Sequence, residues 1–120
     1  MAFLPKNLIY EQPPEMSREV LEAEFASNDP ERILRALIAA SYTEQPEWVQ
    51  EKCFQFATHS SEPARRGAAI MLGSIALVHG PINFIRAVET LEKLRQEPAL
   101  KMHADDSLEL VLHAGRNWTQ

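Results

Sequence analysis

Hydrophobic residues return every three to four positions along most of this chain. Ile33, Leu34, Leu37, Ile38 and Tyr42 follow one another at helical spacing, and Val49, Cys53, Phe56 and Ala57 share one face of the next segment. Ala68, Ala69, Leu72, Ile75 and Ala76 form a third stripe. Phe84, Ile85, Val88, Leu91 and Leu94 form a fourth, and Ala104, Leu108, Val111 and Leu112 a fifth. These are 3.6-residue patterns rather than the alternation of strands. The chain contains no Asn-Gly or Asp-Gly pair to turn a hairpin. The pattern predicts six helices once the polar stretch after Pro14 is included.

Proline spacing divides the stripes. From Pro14 onward the prolines stand at 30, 46, 63, 81 and 98, at intervals of 16, 16, 17, 18 and 17 residues. Proline suits the first turn of a helix, where its missing N–H has no intrahelical partner, and is costly in the interior. Each proline is therefore expected to open a helix. Asp29, Glu62 and Glu97 place negative charge before three of them, and Gly80 can close the helix before Pro81. Residues 1–13 are expected to form an extended N-terminal segment, with Phe3, Leu4, Leu8, Ile9 and Tyr10 packing as a cover. Residues 14–120 are expected to form one domain.

Six short helices with minimal turns make three helical hairpins, with a hairpin period of 32 residues from Pro14 to Pro46 and 35 from Pro46 to Pro81. Such a period is the mark of a helical solenoid, in which each hairpin buries its face against the next. The stretch Glu62-Pro63-Ala64-Arg65-Arg66-Gly67-Ala68-Ala69-Ile70-Met71-Leu72-Gly73-Ser74-Ile75 resembles the second helix of a HEAT repeat. That helix reads acid-Pro-x-Val-Arg, then Ala, then Leu-Gly-x-Ile; Arg65 stands where the family has Val. Glu97-Pro98-Ala99-Leu100-Lys101 with Ala104 and Leu108 repeats the pattern 35 positions on, and Gly115 matches Gly80. The resemblance implies an all-α fold, a short right-handed α-α superhelix of three HEAT-like hairpins. It also implies that the second helices line a concave surface, where Arg35, Ile70 and Asp106 would meet a partner.

Composition narrows the function. Twelve basic and seventeen acidic residues give a net charge of −5, the wrong sign for a sequence-independent nucleic-acid binder. The single cysteine, Cys53, rules out an intramolecular disulfide framework. No signal-like segment opens the chain, and its longest apolar stretch, residues 68–78, is too short for the ~20 residues that span a bilayer. A cytoplasmic protein without membrane association is the expectation. All the excess acid lies in residues 1–60, where five basic residues face ten acidic ones; residues 61–120 hold seven of each. Glu15, Glu19 and Glu22 form one helical row, and Glu44, Glu47 and Glu51 gather around the start of the third helix. A solvated face with favourable charge at helix N-termini explains them. The alternative is a patch around Glu19, Glu22 and Glu47 that steers a basic partner.

Catalytic signatures are absent: there is no G-x-S-x-G, no Gly-rich phosphate loop and no H-E-x-x-H. Cys53 shares the apolar face of its helix and reads as a buried, inert thiol. His59 and His79 fall at helix ends, as caps. His103 and Asp106 are close enough along a helix to share a metal. His113, ten residues beyond His103, lies about 15 Å further along the axis and cannot join it. Trp48 and Trp118 can serve as packing lids or interface anchors. No cofactor or metal is expected.

The expected function is a non-enzymatic protein-binding module. Its most specific form is an immunity protein that binds and neutralises a cognate bacterial toxin domain, a basic nuclease for instance. Small size, acidity and the lack of an active-site constellation are shared with small helical immunity proteins. A scaffold that binds a peptide or helix along its concave groove is the second reading. A protein similar to the HEAT-like phycobilin lyases is the third.

Overall fold

A computed structural model describes residues 15–118. They form six α-helices: α1 (Arg18–Phe25), α2 (Pro30–Thr43), α3 (Pro46–Phe56), α4 (Glu62–His79), α5 (Phe84–Leu94) and α6 (Lys101–Trp118). No strand occurs among the described residues, and the fold is all-α as expected. The N-terminal cover expected of residues 1–13 lies outside the described residues.

Three prolines open helices. Pro30 and Pro46 are the first residues of α2 and α3, and Pro63 is the second of α4. Two do not. Pro81 and Pro98 stand three residues ahead of α5 and α6, because each chain reversal takes a turn of its own. In the first, Gly80 closes α4 at φ 95° and Asn83 enters α5 at φ 46°, a left-handed conformation that Gly adopts freely and Asn tolerates. In the second, the Leu100 N–H donates to the Glu97 carbonyl at 2.9 Å before α6 begins. The first helix is opened at Ser17 rather than Pro14: the Ser17 hydroxyl accepts the Val20 N–H at 3.2 Å. Asp29 caps α2 in the same way through the Glu31 N–H at 3.0 Å. Such caps are each worth about 0.5–2 kcal/mol.

Side-chain contacts fix how the helices run. Arg18 at the start of α1 reaches Glu44 just past the end of α2 at 2.7 Å, while Arg32 near the start of α2 reaches Glu24 at the end of α1. α1 and α2 are therefore antiparallel. Arg95 after α5 meets Asp105 early in α6, and Phe84 at the start of α5 lies against Gly115 late in α6, so this pair is antiparallel too. The even helices run parallel to one another. Arg65 near the start of α4 binds Glu97 just ahead of α6, and Gly73 abuts Ser107 at mid-length.

The two sets of helices are joined differently. α4 packs against α2 on one side and α6 on the other, through small residues. A Cβ on Gly67 would stand 3.0 Å from Leu34 Cδ1, and one on Gly73 would stand 2.9 Å from the Ser107 Cα. The odd helices are linked by long and aromatic side chains instead. Glu22 of α1 pairs with Lys52 of α3 at 3.1 Å, and Glu51 of α3 with Arg86 of α5 at 3.0 Å. Phe25 packs against Trp48 and Phe56 at ring distances of 6.0 and 5.5 Å. The core between the two sets is built of Leu21, Ile33, Leu37, Val49, Leu72, Leu91, Leu100 and Val111, all essentially inaccessible to solvent. Among the described residues no buried side-chain nitrogen or oxygen lacks a hydrogen-bond partner.

Candidate functional site

The even helices present a shared solvent face, and the two close approaches define it. On a helix turning about 100° per residue, Gly67 and Gly73 lie about 120° apart and Ile70 midway between them. Ile70 is thus aimed outward between the seam with α2 and the seam with α6, and it is 42% exposed. Arg35 on α2 and Asp106 on α6 are also exposed, so the three candidates Arg35, Ile70 and Asp106 come from the even helices, one each. Between the first halves of α2 and α4 runs an open groove of about 480 Å³. Leu34, Gly67 and Ile70 line it together with the charged Asp29, Glu31 and Arg66. Gly67 matters here, because the lack of a side chain keeps Leu34 and Ile70 within one apolar trough. Arg66 is held by Glu62 one turn away.

The acidic candidates lie elsewhere. Glu19 and Glu22 are on α1 and Glu47 on α3, so the six candidate residues do not form one patch. Much of the N-terminal acid is also spent inside the molecule. Glu22 pairs with Lys52, Glu24 with Arg32, Glu44 with Arg18 and Glu51 with Arg86. Arg32 donates two hydrogen bonds to Glu24 and holds its carboxyl below the usual value. Glu19, Glu31 and Glu47 make no ion pair among the described residues. Trp48 is half-buried under the Arg18 guanidinium, 4.0 Å from its ring centroid.

The nucleophile and base candidates have local structural roles. Cys53 is fully buried, and burial pushes its thiol up to about 12, so it is a protonated, sealed group at neutral pH. His59 Nδ1 accepts the Ser61 N–H at 2.9 Å, which leaves Nε2 to donate to Asn28 Oδ1 at 2.8 Å. Both ring nitrogens thus tie the α1–α2 turn to the start of α4. His79 is the last residue of α4 and exposed, close to the negative end of the helix dipole. His103 is half-buried and Asp106 and His113 are exposed along α6. No three His, Cys, Asp or Glu side chains converge to hold a metal among the described residues.

Two features escaped the sequence. Arg65, the residue that departs from the repeat pattern, donates to both Glu97 carboxylate oxygens at 2.8 and 3.0 Å and to the His59 carbonyl at 2.7 Å. It clamps one hairpin to the next, and the acid that precedes Pro98 was the available signal. Gly115 does not repeat the role of Gly80: it lies inside α6 and makes room for Phe84, whose ring carbon would be 2.5 Å from a Cβ there. Leu77 and Val78, 66% and 69% exposed, extend the apolar face of α4 to its end. Comparison with protein families, with curated proteins and with solved structures finds no match. No helix among the described residues is long and apolar enough to cross a membrane.

Proposed function

We propose that this chain is a protein-binding module without catalytic chemistry of its own, and that its partner seats on the face shared by α2, α4 and α6. The supporting observation is the open groove between α2 and α4, with an apolar floor at Leu34 and Ile70 and charge at its rim. A trough with apolar anchors and a polar border suits a helix or extended peptide. The HEAT-like reading agrees with this choice, since the second helix of each hairpin would supply the face.

The more specific form, an immunity protein against a bacterial toxin domain, draws its support from the net charge of −5 and from the carboxylates of Glu19, Glu31 and Glu47, which make no ion pair among the described residues. A basic cleft on such a partner would be attracted by them before contact. The test uses the protein encoded by the adjacent gene and measures affinity by calorimetry. Ile70→Asp is expected to weaken binding by about tenfold or more, the loss of one anchor. Glu19→Lys with Glu47→Lys is expected to slow association and flatten its salt dependence. Wild-type affinity for Ile70→Asp, in a folded protein that binds that partner, would refute the placement of the face.

A further inference from the structure

The groove between the first halves of α2 and α4 has a charge that selects its occupant. The two helices run parallel, so Pro30 and Pro63 open both walls at one end. That mouth carries Asp29 and Glu31, and Leu34, Gly67 and Ile70 lie one to two turns further in. We propose that the groove takes a segment of a partner protein in which a large apolar side chain is joined, within about one helical turn, by Lys or Arg. The apolar side chain seats on Leu34 and Ile70, and the cation reaches Asp29 and Glu31. This occupant rests on the partner seating on the face of α2, α4 and α6, and it adds what that partner must carry.

The carboxylates at the mouth are available to a cation. Asp29 Oδ1 accepts the Glu31 N–H at 3.0 Å, which fixes the Asp29 side chain. Neither Asp29 nor Glu31 makes an ion pair among the described residues. The basic groups on the same turns are engaged: Glu62 holds Arg66, and Glu24 accepts two hydrogen bonds from Arg32. Arg35 does not line the groove. The N-terminal ends of α2 and α4 supply only about half a positive charge each, less than the two carboxylates together. The mouth therefore stays negative, and an acidic segment is repelled from it. The walls are also fixed before a partner arrives. His59 bridges Asn28, the neighbour of Asp29, to the Ser61 N–H two residues before Pro63, so little ordering of the walls is left to oppose binding.

Random peptides displayed on phage are selected on the full chain, with Ile70→Asp as the counter-selection. Peptides retained by the wild type and lost by Ile70→Asp are expected to share a large apolar residue and a nearby Lys or Arg. One such peptide is then synthesised and its affinity measured by fluorescence anisotropy. Glu31→Lys is expected to weaken it about tenfold at low salt, and Glu31→Gln by less. Glu89→Lys makes the same charge change at an exposed position of α5, and should leave the affinity within about twofold. Exchanging the peptide's basic residue for Glu should weaken binding to the wild type and be tolerated by Glu31→Lys. Groove-dependent peptides without a basic residue, or wild-type affinity for Glu31→Lys, would overturn the cationic occupant and leave the face in place. Selection of no peptide that Ile70→Asp loses would overturn the face itself, and the occupant with it.

Discussion

Gly73→Ala tests the tightest joint in the molecule. In a helix interior alanine is favoured over glycine by about 1 kcal/mol, so propensity alone predicts a more stable protein. The structure predicts the reverse. The added methyl carbon would stand 2.5 Å from Ser107 Oγ, 2.8 Å from its Cβ and 2.9 Å from its Cα. The hydroxyl can rotate away, but the Cβ and the backbone Cα cannot, so α6 itself must move outward. Overpacking of this kind costs about 1–3 kcal/mol, and with such backbone contact the upper part of that range applies. The net expectation is a loss of about 1–2 kcal/mol, or several degrees in Tm at about 4–8 °C per kcal/mol for a small domain. Gly67→Ala is the control. Its new carbon would meet only Leu34 Cδ1, at 3.0 Å, the far end of a flexible, half-buried side chain, so the propensity gain should survive. Urea unfolding followed by circular dichroism separates the two variants. Ser107→Gly added to Gly73→Ala removes two of the three close atoms, and a double-mutant cycle should show favourable coupling. A Gly73→Ala protein as stable as the Gly67→Ala protein would refute the close approach of α4 and α6.

Three further outcomes follow from the packing and the charges. Leu72→Ala, at a site with no solvent exposure, should cost about 2–5 kcal/mol by leaving a cavity, as read by the same urea unfolding. Cys53 should resist a thiol reagent in the folded protein at pH 8 and react only on unfolding, given its burial and its raised pKa. Hydrogen bonds from Arg95 and then Lys101 hold the Asp105 carboxyl below its ordinary value. Its contribution is therefore present above the unfolded pKa near ~3.9 and is lost as pH falls through the lower folded one. Asp105→Asn should accordingly be less stable than wild type at neutral pH, and the two stability curves should converge in acid.

Fold class was legible because the hydrophobic period and the proline spacing carry it locally. Pro30, Pro46 and Pro63 mark helix starts in the structure. Pro81 and Pro98 do not, since a proline also fits the turn ahead of a helix and the sequence pattern is alike in both settings. Gly80 and Gly115 match by position yet differ in cause, one by its backbone angle and one by the ring of Phe84 pressed against it. The ion pairs inside the acidic half were hidden for a related reason. Counting charges along the chain cannot show that Glu44 lies against Arg18, 26 residues away, or Glu51 against Arg86, 35 residues away. Ile70 was easier to place, because its angular position between two small residues follows from helix geometry alone.

The contrast between the two sets of helices gives the stack a direction of compliance. Links such as Glu22 to Lys52 and Glu51 to Arg86 are made over water, and exposed pairs of this kind hold by only about 0.2–1 kcal/mol. The seam at Gly73 has no such slack, since it rests on the backbone of Ser107 and parting it would open a void. Compliance is therefore greatest between α3 and α5, joined over solvent by Glu51 and Arg86, where ionic strength sets how firmly the link holds; it is smaller between α1 and α3, where Phe25 packs on Trp48 and Phe56, and least between α4 and α6.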